Sequence, residues 1–345
     1  MPKSLTRLKE RLLRGTVVTH HRPSRALVTG GAGFIGSHLV EALAARGDQI
    51  TVLDDGRNSK VSENLGKLAD QITLLQGDCT RAADALAHAE PDVVYHLASP
   101  AYVPPSVDDP LSDLRGNVEQ TLHLLQALRQ HSRPPRLVHV SSAAIYGHPP
   151  VQPIRETYPP APVSPYGVDK FCAEEHVRVA SQLHDLRAVV LRYFPVYGPR
   201  QRKQVVYDLI CKLDSDQDRL EIHGTGRELR DLTFVDDIVR GTMLAADRAP
   251  GRGEAYNLGS GRMVTIEHLA RTICEVLGLT PELAFTGSVR PGDAERIVAD
   301  ITALRTLGYE PKVGLRDGIA RTVAWHRASK SSHASINSDD HRTVA

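Results

Sequence analysis

The stretch from Thr29 to Gly36, Thr-Gly-Gly-Ala-Gly-Phe-Ile-Gly, constrains this chain more than any other segment. It follows an apolar run, Ala26-Leu27-Val28, and leads into a helical pattern through Leu39, Val40, Leu43 and Ala44. The segment therefore reads as strand, glycine turn, helix. In such a turn Gly30 permits the tight bend, Gly33 lets a dinucleotide pyrophosphate lie against bare backbone, and Gly36 lets helix and strand pack closely. Phe34 and Ile35 open the helix beside the phosphates. A glycine pattern alone is a weak signal, but about 20 residues further on a second apolar run, Ile50 to Leu53, ends in Asp54-Asp55. A carboxylate there accepts ribose hydroxyls and repels a 2′-phosphate, so Asp54 points to NAD rather than NADP. Arg57 weakens that inference.

Further strand-like runs occur at Ile72–Leu75, Val93–Leu97, Leu137–Val140 and Ala188–Phe194, mostly separated by helical patterns. Near-continuous apolar strands alternating with helices predict an α/β fold with a doubly wound parallel sheet covered on both faces. Ligands of such sheets sit outside the carboxyl ends of the strands, and each polar cluster singled out below follows a strand. Asp78, beside Cys79 after the third strand, is placed to accept from an adenine amino group; the alternative is a turn aspartate. Leu97, Ala98 and Ser99 end the fourth strand with small residues among them, against which a flat cofactor can lie. A helix over 111–131 is expected next, with Val118, Leu122, Leu125 and Leu128 on its core face.

The chemistry is most legible between Ser141 and Lys170. Ser141-Ser142 ends the fifth strand, and after a proline-rich loop Tyr166 and Lys170 stand four apart at the start of a helix, on one face. A tyrosine with a reference pKa near ~10 is a poor base at neutral pH, but an ammonium and a cationic nicotinamide favour its phenolate. Tyr166 is then the acid–base, Ser142 holds the reacting hydroxyl, and Lys170 lowers the tyrosine pKa and binds the nicotinamide ribose.

Composition narrows the partners. The formal net charge of +1 over 345 residues gives no long-range field for polyanions, so nucleic acid is not expected. Four cysteines, Cys79, Cys172, Cys211 and Cys274, have no metal-ligand spacing, which suits reduced thiols in the cytoplasm and no metal site. Residues 1–24 are basic and without a signal-peptide core; Leu5, Leu8, Leu12 and Leu13 suggest a short amphipathic docking helix. No run is long enough to span a membrane. Residues 329–345, poor in apolar side chains, are expected to be a disordered tail.

Together TGGAGFIG, HLAS, SSAAIYG and SPYGVDK resemble the extended short-chain dehydrogenase/reductase family, in its nucleotide-sugar epimerase and dehydratase branch. The resemblance spans about residues 25 to 328 and continues through RYFPVYGPRQR, RDLTFVDD, YNLGSG and RPGDAERIVAD. It implies a Rossmann domain over 25–195 with a return segment near 232–260, a smaller nucleotide-sugar domain from 196–231 and 261–328, and a homodimer. By the same resemblance Arg230 and Arg290 bind the nucleotide diphosphate, Asp293 binds the uridine ribose, Asn117 lies near the active-site strands, and Ser141 joins Ser142 on the substrate.

Three departures from that pattern choose among reactions. Dehydratases of the branch carry an Asp-Glu pair directly after the catalytic Ser or Thr, and UDP-glucuronate decarboxylases carry a glutamate there; this chain has Ala143-Ala144, which leaves no evident acid for either reaction. Ser142, Tyr166 and Lys170 without a further acid suit reversible oxidation at C4 and hydride return to the other face, the minimum of a 4-epimerase. Pro195 replaces the usual Asn, so Arg192 becomes a candidate anchor for a C6 carboxylate, the alternative being an internal ion pair. Ile297, bordering the C2 substituent, leans towards an unacetylated sugar. The expected substrate is UDP-glucuronate, as in related enzymes of antibiotic biosynthesis, with UDP-glucose or UDP-N-acetylglucosamine as same-class alternatives. A UDP-glucuronate decarboxylase, an NADP-linked ketosugar reductase and a catalytically idle NAD-binding sensor or scaffold are the others.

Overall fold

The computed structural model describes residues 23–57, 61–288 and 296–339, with side chains as far as residue 331. Residues 1–22 of the basic extension over 1–24, and Arg290 and Asp293, lie outside the described residues. Seven parallel strands form the main sheet: β1 (Arg25–Thr29), β2 (Gln49–Asp54), β3 (Ile72–Gln76), β4 (Val93–His96), β5 (Arg136–Ser142), β6 (Ala188–Tyr193) and β7 (Arg252–Leu258). Their spatial order is β7-β6-β5-β4-β1-β2-β3, so the chain winds outward in both directions from the glycine-turn strand.

The apolar runs persist because alternate residues of each strand enter different cores. Ala26, Val28, Tyr95, Val138 and Leu191 join the larger core, whereas Leu27, Val94, Leu137 and Val190 point to the other face. Helices α1 (Phe34–Arg46) and, later in the chain, Val235–Arg248 cover the larger core. The other face is covered by α2 (Ala82–Ala89), by α4 (Gln120–Gln130), which follows the short α3 (Pro110–Leu114), and by α5 (Pro165–His184). Each fully buried aliphatic side chain contributes roughly 1.5–3 kcal/mol to this arrangement.

The expected helix over 111–131 is interrupted by a π turn at Arg115–Glu119. The extra residue rotates the following face, so Leu124 is buried in place of Leu122, which is exposed. The seventh strand carries Gly253 and Glu254 and a bulge between Arg252 and Glu254, which hides it from apolar periodicity. Beyond the main sheet, Arg219–Ile222 pairs with Glu282–Phe285, and Leu229–Arg230 lies between Val264–Thr265 and Arg296–Ile297. The last helix, Leu315–Asp339, continues into the stretch expected to be a disordered tail, so its described backbone is helical.

Candidate active site

The glycine turn has the shape a dinucleotide requires. Gly30 has φ +70°, and a Cβ there would stand 2.7 Å from the Ala98 backbone nitrogen. A Cβ on Gly36 would collide with the Gly30 carbonyl oxygen, whereas one on Gly33 would meet only that oxygen, at 3.3 Å. Gly33 thus leaves open space at the N-terminus of α1, where the helix dipole and free N–H groups favour phosphate. Phe34 and Ile35 follow it, half-buried. Asp54, at the end of β2, accepts from the Ala32 and Gly56 N–H groups at 3.0 and 2.9 Å, which fixes its carboxylate beside the turn.

Arg57 lies 2.6 Å from Asp55 and 3.6 Å from Asp78, so two acids hold the cation that would otherwise welcome a 2′-phosphate. Asp78 is also a turn aspartate: its Oδ1 accepts from Thr80 N–H and hydroxyl, and the hydroxyl bond in particular holds it below the usual carboxylate range. The Cys79 N–H donates to Gln120 Oε1 at 2.6 Å, and burial pushes its thiol up to about 12. The Cys79 N–H is therefore already engaged within the chain. Leu97 N–H donates to the Thr29 carbonyl, and Ser99 Oγ donates to Asn117 Oδ1 at 2.7 Å, tying the β4 loop to the π turn.

The candidate catalytic side chains stand at the end of β5 and the start of α5. Ser164 caps α5 by accepting from Gly167 N–H, and Pro165 occupies the first turn, where its missing N–H costs nothing. Gly167 explains how the helix seats against the serine turn: a Cβ there would stand 2.7 Å from the Ala144 carbonyl oxygen. Sequence reading passed over it, although a glycine in a first helical turn is itself a signal of close approach. Tyr166 N–H donates to Ser106 Oγ at 3.1 Å. Burial pushes its phenol up to about 12; the neighbouring Ser142 opposes that rise, and the Asp113 charge adds to it. Burial brings Lys170 itself down to about 8, with Asp113 and Glu174 as the nearest compensating acids.

Two expected substrate contacts are corrected. Ser141 lies on the opposite face of β5 from Ser142, in register with Arg192, and its hydroxyl is buried without a partner among the described residues. Arg192 faces α5, not the cleft. Its Nε and Nη2 bind the Glu174 carboxylate at 2.5–3.2 Å, and its Nη1 donates to Tyr146 Oη at 2.7 Å and to the Glu156 carbonyl at 2.9 Å. The internal ion pair is the one formed, because a buried Glu174 demands a cation. Arg230 lies on its short strand in register with Ile297, half-buried, with Nη1 to the Leu229 carbonyl. Next to it Asp231, fully buried, accepts from the N–H groups of Ser260, Gly261 and Ala299 and the hydroxyls of Ser260 and Thr233. That one carboxylate joins the RDLTFVDD, YNLGSG and RIVAD segments, a role the sequence reading missed.

The NAD dependent epimerase/dehydratase family matches residues 26–259, from β1 to just past β7. The chain belongs to this family. The UDP-glucose 4-epimerase of Mycolicibacterium smegmatis is 36% identical over 312 residues, covering 88% of this chain and 98% of that protein. Among solved structures, the UDP-glucose 4-epimerase of Thermotoga maritima with UDP-glucose has TM-score 0.82 and 33% identity, covering 88% of this chain and 99% of that one. The UDP-glucuronic acid 4-epimerase of Bacillus cereus with UDP-glucuronic acid and NAD has TM-score 0.81 and 31% identity, at the same coverages. Family membership makes NAD the cofactor, and the open turn at Gly33 and the fixed Asp54 carboxylate fit it. No helix among the described residues is long and apolar enough to cross a membrane.

Proposed function

We propose that this protein interconverts the C4 epimers of a UDP-sugar, with UDP-glucuronate and UDP-galacturonate as the pair. The observation that carries the reading is the seating of the first turn of α5, with Tyr166, against the turn that follows Ser142 at the end of β5, with alanines at 143 and 144 where an eliminating or decarboxylating acid would stand. Bound NAD supplies a reversible hydride acceptor and a positive ring beside the phenol. Tyr166 takes the proton from the C4 hydroxyl as C4 is oxidised and returns it to the C4 oxygen once the 4-ketosugar has turned its other face to the hydride donor; Ser142 positions that oxygen, and Lys170 holds the cofactor ribose. Asp54, Asp78, Leu97, Ala98, Ser99 and Asn117 line the cofactor's path in the Rossmann part, 25–195 with 232–260. Arg230, Arg290 and Asp293 bind the UDP in the part formed by 196–231 and 261–328.

Glucuronate as the sugar is supported by likeness to the Bacillus cereus enzyme, and an unacetylated sugar by Ile297. A second reading, UDP-glucose, is favoured by one observation: Arg192 is engaged by Glu174, which removes the one cation assigned to a C6 carboxylate. A homodimer is supported by the exposed stripe Val168, Val179 and Leu183 along α5, beside Leu111, Leu114 and Leu122. Replacing Tyr166 by Phe tests the chemistry: turnover is lost while NAD stays bound, and a variant retaining substantial turnover contradicts the assignment.

A further inference from the structure

A segment far from the glycine turn in sequence is tied around its rim. Pro199 to Lys203 follows the short strand Val196–Tyr197 and leads into the helix Gln204–Ser215. On α1, His38 Nε2 donates to the Pro199 carbonyl at 3.0 Å, and Arg200 donates through Nη1 to Ser37 Oγ at 3.1 Å and through Nη2 to the Glu41 carboxylate. Buried Gln201 donates to the Val196 carbonyl at 2.8 Å, which holds the segment to its own strand. Arg202 Nη2 pairs with Glu63 of the helix Val61–Leu65, and the next residue of that helix, Asn64, donates to the Ala32 carbonyl of the glycine turn at 2.8 Å. Lys203 Nζ donates to the Pro100 carbonyl at 3.3 Å and stands 5.1 Å from the centre of the Tyr102 ring. Pro100 belongs to the loop after β4, against which Gly30 closes at Ala98. In the sheet β1 lies between β4 and β2, so the consecutive side chains Arg202 and Lys203 reach opposite sides of the turn that follows β1.

We propose that residues 199–203 form a strap that keeps NAD in place throughout a turnover, with Arg200–Glu41 and Arg202–Glu63 as its ionic clasps. The proposal rests on the epimerase reading given above, in which the hydride taken from C4 is handed back to the same sugar. A cofactor that left between the two transfers would strand the 4-ketosugar. Backbone N–H groups and the dipole of α1 favour the phosphates, and the strap adds a covalently continuous bridge from α1 to both flanks of the turn. Its clasps also suit a strap that opens to load cofactor. Arg202 and Glu63 are both partly exposed, as is Glu41, and ion pairs at such positions hold weakly and are screened by salt. Trp325 of the last helix stands 5.2 Å from the Arg202 guanidinium and braces it beside Glu63. Arg200 has φ +72°, which a side chain other than glycine rarely adopts, and its bonds to Ser37 and Glu41 hold it there.

The test is release of NADH from the full chain, loaded with that cofactor, mixed with excess NAD and followed by NADH fluorescence at low and at high salt. At low salt Glu63→Gln should release NADH about threefold faster than the wild type, and the double variant Glu41→Gln, Glu63→Gln about tenfold faster. High salt should bring the wild type close to the double variant, which itself changes less. Equal release from wild type and double variant at low salt, or a difference that persists undiminished at high salt, overturns the proposal. Release is read without a sugar, so failure of the strap leaves the chemistry untouched, whereas an active Tyr166→Phe variant would overturn the chemistry and leave the strap's clasps standing.

Discussion

Tyr166, Ser142 and Lys170 were legible as residues because helical spacing alone brings positions four apart onto one face, and Ser142 ends a strand whose carboxyl end opens on the cleft. Arg192 and Ser141 were not, because which face of a strand meets the substrate depends on what the other face packs against. On β6 that partner is Glu174, a residue eighteen positions earlier whose burial no local pattern reveals. Two outcomes follow at this scale. Replacing Ser142 by Ala should lower kcat about 100-fold with little change in NAD content, since a preorganised donor at the reacting oxygen is removed. Replacing Arg192 by Met should cost about 3–5 kcal/mol in urea unfolding, because Glu174 is left as an uncompensated buried charge, while KM for the UDP-sugar stays unchanged. A large KM increase with intact stability would restore Arg192 to the substrate.

Among elements, the glycine turn and α5 are rigid parts set by close backbone contact. Replacing Gly36 by Ala places a Cβ against the Gly30 carbonyl, and the variant should lose bound NAD and about 1–3 kcal/mol of stability, measured by cofactor content and urea unfolding. Asp231 fixes three segments at once. Its replacement by Ala strands three backbone N–H groups and should cost about 3 kcal/mol or more, read by the same unfolding experiment. Six of the seven main strands could be read from apolar runs; in five of them both faces of the sheet are buried, and the edge strand β3 keeps its run although partly exposed. The seventh could not, since a bulge and a glycine break its pattern, and the π turn at Arg115–Glu119 shifted the face of α4 by an insertion that composition does not announce. The tail beyond residue 329 is poor in apolar side chains, yet its described backbone continues the helix begun at Leu315.

On the scale of the whole molecule, the cofactor turn, the Ser142–Tyr166 pair and the Arg230 strand belong to segments distant in sequence that the parallel sheet and its companion strands bring into one chain-wide arrangement. The apolar stripe on α5 leaves that arrangement with a face suited to a second copy. Replacing Leu183, 71% exposed, by Glu should therefore shift the protein towards monomer in sedimentation velocity. The most direct test of the account is proton NMR of the purified protein, without added cofactor, incubated separately with UDP-glucuronate, UDP-glucose and UDP-N-acetylglucosamine. The account predicts conversion of UDP-glucuronate to its C4 epimer, with no loss of carbon dioxide. Growth of UDP-xylose, or no change in any of the three sugars, would contradict it, and epimerisation of UDP-glucose alone would keep the mechanism and overturn the substrate.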